Sequence, residues 1–420
     1  MDKLCVFTIV AKNYIGLAEL LGKSLHAMNP NIVFNIVVAD KFEDNPKCLP
    51  SNVYMGSDIL SWNEEEYLSY AFKYDLTEFC TALKPGSILY FFRQGYDKVI
   101  YFDPDIFIFS SIYPIYELLD NYQVVLTPHI AQIHKDYHGD HPEWMINCNG
   151  IFNLGFAAFR KTEKTIRFLE WWEKRLKSDC FADRVIGDFT DQKWMDWVPA
   201  FFTNTEFYSS PHLGMNLAPW NFFEREVANE DGRWMVRVRG EKTIGKSEDL
   251  IFVHFSGFKY KLLKEGIIDH TRNNDLEKYE DLKPIYEIYG EYIKKNAKVF
   301  DSFIDQPYTY NYFDDGTRVE FFHRRLYDGL IKEGKKYDNP FSSKKGSLLE
   351  GLKKNGIISK DGNGKFSRAS VKDIDSKKNM LSKLYSFLFR IMGYSKYVLL
   401  TKAHLEYSRP ATHTFLMKNK

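Results

Sequence analysis

The sequence predicts an α/β fold in which a mostly parallel sheet is flanked by helices and followed by a helical C-terminal extension. Two observations lead there. Over about the first 260 residues, short apolar and β-branched runs alternate with segments of helical periodicity, the rhythm of βαβ units. From about residue 275 to 335 the chain turns charged and tyrosine-rich, which suits helices packed on a main domain. The length of 420 residues accommodates one large domain with an appendage, or two domains.

The elements follow in order. Leu4–Ala11 (LCVFTIVA) reads as the first strand. It is apolar but short, and lacks the charged start and small-residue cleavage site of a signal peptide. Tyr14–Met28 reads as a helix, with Leu17, Leu20, Leu21 and Leu25 at helical spacing. Asn29-Pro30-Asn31 breaks the chain, and Ile32–Val38 is a second buried strand. Asp75–Leu83 reads as a helix with Asp75 as N-cap and Glu78 in the capping-box position. Pro85-Gly86 is expected to interrupt it before another helix over Ser87–Gln94. Lys98–Phe102 (KVIYF) is a strand by its β-branched and aromatic content. Further strands are expected at Gln123–Leu126, Gly155–Phe159, Val198–Phe202 and Leu250–Phe255, with a helix over Thr162–Leu176 capped by Thr162. Asn339 to Ser376 is Gly-, Ser- and Lys-rich and reads as a loop or linker. The expected domains are thus 1–260, a helical extension at 261–338, a linker at 339–376 and a basic segment at 377–420.

Composition narrows the function classes. A net charge of +1 gives no global field of the kind nucleic-acid binders carry, so no nucleic-acid partner is expected. The five cysteines, at 5, 48, 80, 148 and 180, form no CxxC pair. That argues against a disulfide framework or structural zinc, and fits a reducing cytoplasm. No run of about 18 apolar residues occurs, so no spanning helix is expected. The 16% aromatic content suits an ordinary core first and ring-shaped ligands second.

The sharpest local signal is Val99-Ile100-Tyr101-Phe102-Asp103-Pro104-Asp105. An apolar strand delivers two carboxylates at i and i+2, which an extended segment sends to one side. Such a pair repels unless a cation joins it. Mg²⁺ and Mn²⁺ favour oxygen ligands and can hold a diphosphate at the same time. The carboxyl ends of strands are also where open α/β sheets bind ligands. Asp-Pro-Asp equally suits a surface turn. A second strand, Ile251-Phe252-Val253, ends in His254, with Gly257 three residues on. A neutral imidazole can complete a carboxylate-held metal site, although a lone histidine is also an ordinary core residue. Gly257 would let backbone approach a phosphate, and Lys259 or Lys261 could neutralise it. Between these motifs, Asn153-Leu154-Gly155 enters a strand and Asp191-Gln192 precedes the aromatic run Trp194–Trp197. Amides and carboxylates can bind sugar hydroxyls, and aromatic faces can cover sugar rings.

In this order, Asn13-Tyr14, Asp103-Pro104-Asp105, Asn153-Leu154-Gly155, Asp191-Gln192 and His254-Phe255-Ser256-Gly257 resemble glycosyltransferase family 8 over about the first 260 residues. Glu78 to Pro85 and Pro211 to Asn221 (PHLGMNLAPWN) resemble related bacterial surface-polysaccharide glycosyltransferases. The resemblance implies a GT-A, Rossmann-like catalytic domain that moves a sugar from a nucleotide-sugar to a glycan or lipid-linked acceptor, with retention of anomeric configuration. It implies Mn²⁺ or Mg²⁺ held by Asp103, Asp105 and His254. It puts Asn13 and Tyr14, with Thr8 and Ala11, at the nucleoside end of the donor site. Lys84 falls near the donor, Gly257 with Lys259 or Lys261 near its phosphates, Asn153 and Gly155 beside the sugar, and Asp191 and Gln192 at the reacting centre. Two departures are visible. Ala11 and Lys12 stand where the family often has acidic residues, and Phe258-Lys259-Tyr260-Lys261 replaces its Lys-Pro-Trp ending. A sugar nucleotidyltransferase would instead carry a Gly-rich basic loop after the first strand, where this chain has the single Gly16. An inactive sugar-binding scaffold would be expected to have lost a metal ligand.

From Lys377 onward the chain carries nine Lys and Arg against one Glu. Leu381, Leu384, Leu388 and Ile391 share one helical stripe, with Lys383 and Arg390 off it. Such a helix can lie in an anionic membrane surface, which would make the protein peripheral on the inner face of the cell membrane. The same stripe could dock on the protein's own core or on a partner subunit.

Overall fold

The computed structural model describes residues 2–42, 52–240, 247–271, 278–358 and 374–417. Cys48, residues 275–277 of the tyrosine-rich stretch, residues 359–373 of the expected linker and residues 418–420 of the basic segment lie outside the described residues. The chain forms two compact units, Met1–Trp62 with Leu76–Tyr308, and Asn63–Asp75 with Thr309–Lys420.

The first unit is built on a seven-stranded sheet. Its strands are β1 (Leu4–Val10), β2 (Val33–Val38), β3 (Val53–Met55), β4 (Lys98–Phe102), β6 (Val124–Pro128), β7 (Phe152–Arg160) and, at one edge, Phe207–Ser209. The short β5 (Ile106–Ile108) lies outside this sheet. From the Phe207–Ser209 edge the order runs β6, β7, β4, β1, β2, β3. All neighbours are parallel except β7, which is antiparallel to both β6 and β4. β1 is buried from Cys5 to Val10, as expected of a strand covered on both faces. Helix α1 (Ile15–Met28) supplies part of that cover, with Leu17, Leu20, Leu21 and Leu25 all buried. β5 instead pairs antiparallel with the strand Phe252–His254, setting Ile106 opposite His254. Helices Lys283–Lys295 and Ala297–Phe303 close this side. There Tyr289 stacks on Phe255 with ring centroids 4.1 Å apart.

Several expected elements differ. Val198–Phe201 is a helical turn rather than a strand. Its apolar run misleads, because Pro199 sits in the first turn, where a fixed φ and a missing N–H cost a helix nothing. Two helices form as expected, Leu76–Ala82 and Lys84–Arg93, but the break falls at Leu83 and Pro85-Gly86 lies in the first turn of the second. β7 starts at Phe152, so Asn153 and Leu154 lie within the strand and not at its entrance. The strand expected at Leu250–Phe255 contracts to Phe252–His254. Within the stretch read as loop, Leu348–Lys354 is a helix capped by Ser347.

In the second unit, helix Glu64–Lys73 starts at a capping box formed by Asn63 and Glu66. It packs on helix Phe321–Lys332. Buried Arg324 donates to the carbonyls of Ala71, Phe72 and Tyr74 at 3.0, 2.9 and 2.6 Å. A cation thus satisfies carbonyls that a helix C-terminus leaves open. Phe72 fills the space between Phe313, Tyr327 and Phe341. Among the described residues, no helix is long and apolar enough to cross a membrane.

Candidate active site

The site forms where β4 runs out. Asp103 N–H donates to Gly155 O of β7 at 2.7 Å, and Phe255 N–H donates to Asp105 O at 2.9 Å. The Asp-Pro-Asp turn is thereby held between β7 and the strand Phe252–His254. Both aspartates meet His254 there. Its Nε2 is 3.1 Å from Asp105 Oδ1 and 3.6 Å from Asp103 Oδ2. One ligand atom from each residue can be chosen so that all lie within 4.8 Å of one another. Ligands about 2.0–2.2 Å from a shared ion lie roughly 3 Å apart when adjacent. The spacing and the mixed oxygen–nitrogen donor set therefore fit a Mn²⁺- or Mg²⁺-sized cation.

Tyrosines hold the carboxylates. Tyr101 donates to Asp103 Oδ1 at 2.5 Å, and the Tyr260 hydroxyl lies 2.9 Å from Asp105 Oδ2. Burial, and then the adjacent aspartates, push both phenols well above their usual range. Burial disfavours the charged forms of His254 and Asp105. Their mutual attraction outweighs it, raising the imidazole and lowering the carboxyl. Nδ1 of His254 is buried without a hydrogen-bond partner, and the ring meets Trp220 edge-on at 5.2 Å. Nε2 is thus the nitrogen aimed at the acids.

Lys84, fully buried, forms the floor. Its ammonium is 2.7 Å from Asp191 Oδ2, 2.7 Å from Leu154 O and 3.8 Å from Asp103 Oδ1. Burial opposes its charge, and Asp191 and then Asp103 overcome that, so its pKa is raised. Burial also raises the Asp191 carboxyl against the pull of Lys84. Asp191 follows Thr190, which has a positive φ of 51°, an uncommon conformation for a β-branched residue. Gln192 is tied at both ends of its amide. Oε1 accepts from Leu154 N and Asn153 Nδ2 at 3.2 and 3.3 Å, and Nε2 donates to Asn149 O at 3.0 Å. Asn153 Oδ1 accepts from Gly155 N and from Asn216 Nδ2, both at 3.1 Å.

The expected nucleoside end lies at the carboxyl end of β1. Ala11 precedes a short 3-10 turn, Lys12–Tyr14. Thr8 Oγ1 and Asn13 Oδ1 are buried without hydrogen-bond partners. Tyr14 meets Tyr260 edge-on at 5.9 Å, which links this turn to the tyrosine holding Asp105. Gly257 has φ +84° and lines a pocket of about 300 Å³ with Asn153, Gln192, Trp220, His129 and His270. Lys259 is not among the clustered groups. It forms a half-exposed ion pair with Asp269 at 2.6 Å, and Lys261 pairs with Asp305.

Tyr101, Tyr260, Trp220 and Asn216 were not singled out from the sequence. Asn216 and Trp220 lie inside the Pro211–Asn221 stretch. Asn216 is fully buried at φ +59°, and Tyr260 falls within the altered ending after Gly257. Those were the signals available.

No family model matches the chain. An uncharacterized protein of Bacillus subtilis (strain 168), YfnF, is 25% identical over 291 residues, 68% of this chain and 89% of that one. Among solved structures, similarity reaches the galactosyltransferase LgtC with donor and acceptor sugar analogues. It covers 72% of this chain and 97% of that one, at 14% identity and a TM-score of 0.37. The bifunctional glycosyltransferase WbbM matches over 71% of this chain and 51% of its own, at 15% identity and a TM-score of 0.37. A glycosyltransferase involved in glycosylation of the PBCV-1 major capsid matches over 60% and 93%, at 8% identity and a TM-score of 0.32.

Proposed function

We propose that the chain is a metal-dependent glycosyltransferase of the GT-A type, moving a hexosyl group from a nucleotide-sugar to a glycan or glycolipid with retention of configuration. The observation that carries this reading is the meeting of Asp103, Asp105 and His254 at the carboxyl edge of the sheet. The ordered motifs of the sequence support it.

Bound there, Mn²⁺ or Mg²⁺ would neutralise the charge that develops on a departing nucleoside diphosphate. The protein groups do the rest. Asp103 and Asp105 arrive oriented by Tyr101 and Tyr260, so little reorganisation is needed on binding. Lys84 draws on the buried Asp191 carboxyl through their ion pair and partly offsets the upward push of burial. Asp191 and the fixed amide of Gln192 form the wall beside the reacting sugar. Asn153 and Trp220 line the pocket that receives it. Thr8 and Asn13, with buried acceptor atoms lacking partners, face the nucleoside.

The test is a panel of nucleotide-sugars assayed for Mn²⁺-dependent donor hydrolysis and for thermal stabilisation by mass action. One donor should be hydrolysed. Asp105→Asn should abolish hydrolysis and remove the Mn²⁺-induced shift in Tm without changing the Tm of the metal-free protein by more than a few degrees. Gln192→Ala should lower kcat more than it raises KM. Activity undiminished in excess chelator, or in Asp105→Asn, overturns the reading.

A further inference from the structure

The strongest unexplained surface is the C-terminal helical pair of the second unit. The helical stretch Ile374–Tyr407 is broken at Gly393, whose φ of 72° and ψ of 170° lie far from helical values. The ring contacts show the chain turning back there. Phe389 meets Tyr397 at 5.2 Å, and Tyr385 meets His404 at 5.8 Å. Ever earlier residues of the first arm thus touch ever later residues of the second, the pattern of an antiparallel hairpin. Beyond it, the turn Pro410–Met417 packs on helix Phe321–Lys332, where buried Thr414 donates to Glu333. The hairpin is therefore fixed at its base.

Its outer face is apolar and uncovered. Met380, Leu384, Phe387 and Ile391 fall at i, i+4, i+7 and i+11, one stripe of a helix. They are 70%, 50%, 58% and 66% exposed. Of the stripe expected from spacing, Leu381, Leu384 and Ile391 are exposed and Leu388 is half-buried. Lys383 and Arg390 flank it. On the second arm Tyr394 and Leu399 are also exposed, at 73% and 66%. Between residues 377 and 417, seven Lys and Arg stand against a single carboxylate, Glu406.

We propose that this hairpin docks the protein on an anionic lipid surface, with the Met380–Ile391 stripe in the interface and Lys383 and Arg390 at the headgroups. Charge selects this occupant. A second copy of the hairpin would bring the same positive excess against itself, whereas an anionic bilayer neutralises it. An exposed apolar stripe bordered by cations, with aromatic residues on the apolar side, is the arrangement that lies flat in a headgroup region. The inference does not depend on the glycosyltransferase reading.

Vesicle flotation of the full chain tests it, using phosphatidylcholine alone and with about one-third phosphatidylglycerol. Binding should be confined to the anionic vesicles and should fall as salt rises. Phe387→Glu/Ile391→Glu, at exposed positions that the fold does not use, should weaken it more than tenfold. Lys383→Gln/Arg390→Gln should weaken it about 25-fold, fivefold for each cation removed. Unchanged melting in both variants would separate docking from folding. Equal binding to neutral vesicles overturns the proposal, as does equal binding by the Phe387→Glu/Ile391→Glu protein. So does a dimer, seen by sedimentation without vesicle binding, that the same substitutions dissolve.

Discussion

Gly155 leaves open the space that the ring of His254 occupies. A Cβ built on Gly155 would stand 2.3 Å from His254 Cε1 and 2.5 Å from Nδ1. Trp220 also meets the ring edge-on at 5.2 Å, and His254 N–H is fixed to Leu217 O at 2.8 Å. The glycine of β7 and the histidine of a distant strand are thus one packing unit.

Gly155→Ala should therefore turn the imidazole away from Asp103 and Asp105. Overpacking of this kind costs about 1–3 kcal/mol of stability. The larger effect should fall on the metal, with Mn²⁺ affinity dropping about 10–100-fold, as when a ligand loses its orienting contact. Calorimetric Mn²⁺ titration of folded Gly155→Ala reads this directly. Wild-type affinity would show that His254 is not held by this contact.

Lys84→Met should destabilise the protein by about 3–5 kcal/mol, because it strands Asp191 as a buried, uncompensated carboxylate. Removing both charges should cost less than removing the lysine alone. Urea melts of Lys84→Met and of Lys84→Met/Asp191→Asn would measure the difference. A double variant no more stable than the single would show that the lysine stabilises through packing and not through Asp191.

His129 gives the pH dependence. Burial depresses its imidazole from the usual value to about 4, and the hydrogen bond of Nδ1 to Ile151 O only partly opposes that. A histidine depressed in the folded state binds its proton more readily when unfolded. The stability it contributes is complete above the unfolded value of 6.5 and is lost as pH falls towards 4. The loss approaches about 3 kcal/mol, at roughly 1.4 kcal/mol per unit. His129→Gln should flatten the stability profile between those limits, and proton NMR should show the ring neutral down to about pH 4. A ring that titrates near 6.5 would contradict this.

The strand Lys98–Phe102 and the acids that follow it were legible because each depends on local pattern: an apolar run, then two carboxylates on one side. The same holds for the helix capped by Thr162, whose side chain accepts from Thr165 N. Val198–Phe201 was misread because a short apolar run is compatible with either period, and only Pro199 hinted at a helix start. Lys84 illustrates a deeper limit. Its partners Asp103, Leu154 and Asp191 lie far along the chain, so only its position in the resemblance, not its surroundings, could be read. Tyr260 was invisible for the same reason, its partner Asp105 lying 155 residues away, whereas Tyr101 stands only two residues from Asp103 and shares its side of the strand. A tyrosine beside an acid in space leaves no periodic trace in sequence.

The pairing of β5 with Phe252–His254 bears on how the molecule is made. Ile106 follows the two aspartates almost at once, yet its partner His254 is synthesised about 150 residues later, and contacts so distant form slowly. During translation the acid pair emerges long before the imidazole that completes it, and the edge of β5 stays open through that interval. Such an edge is a place where incomplete chains associate. On the function proposed above, divalent-ion retention would report this long-range pairing as well as occupancy, because chains that stopped short of it would lack the imidazole.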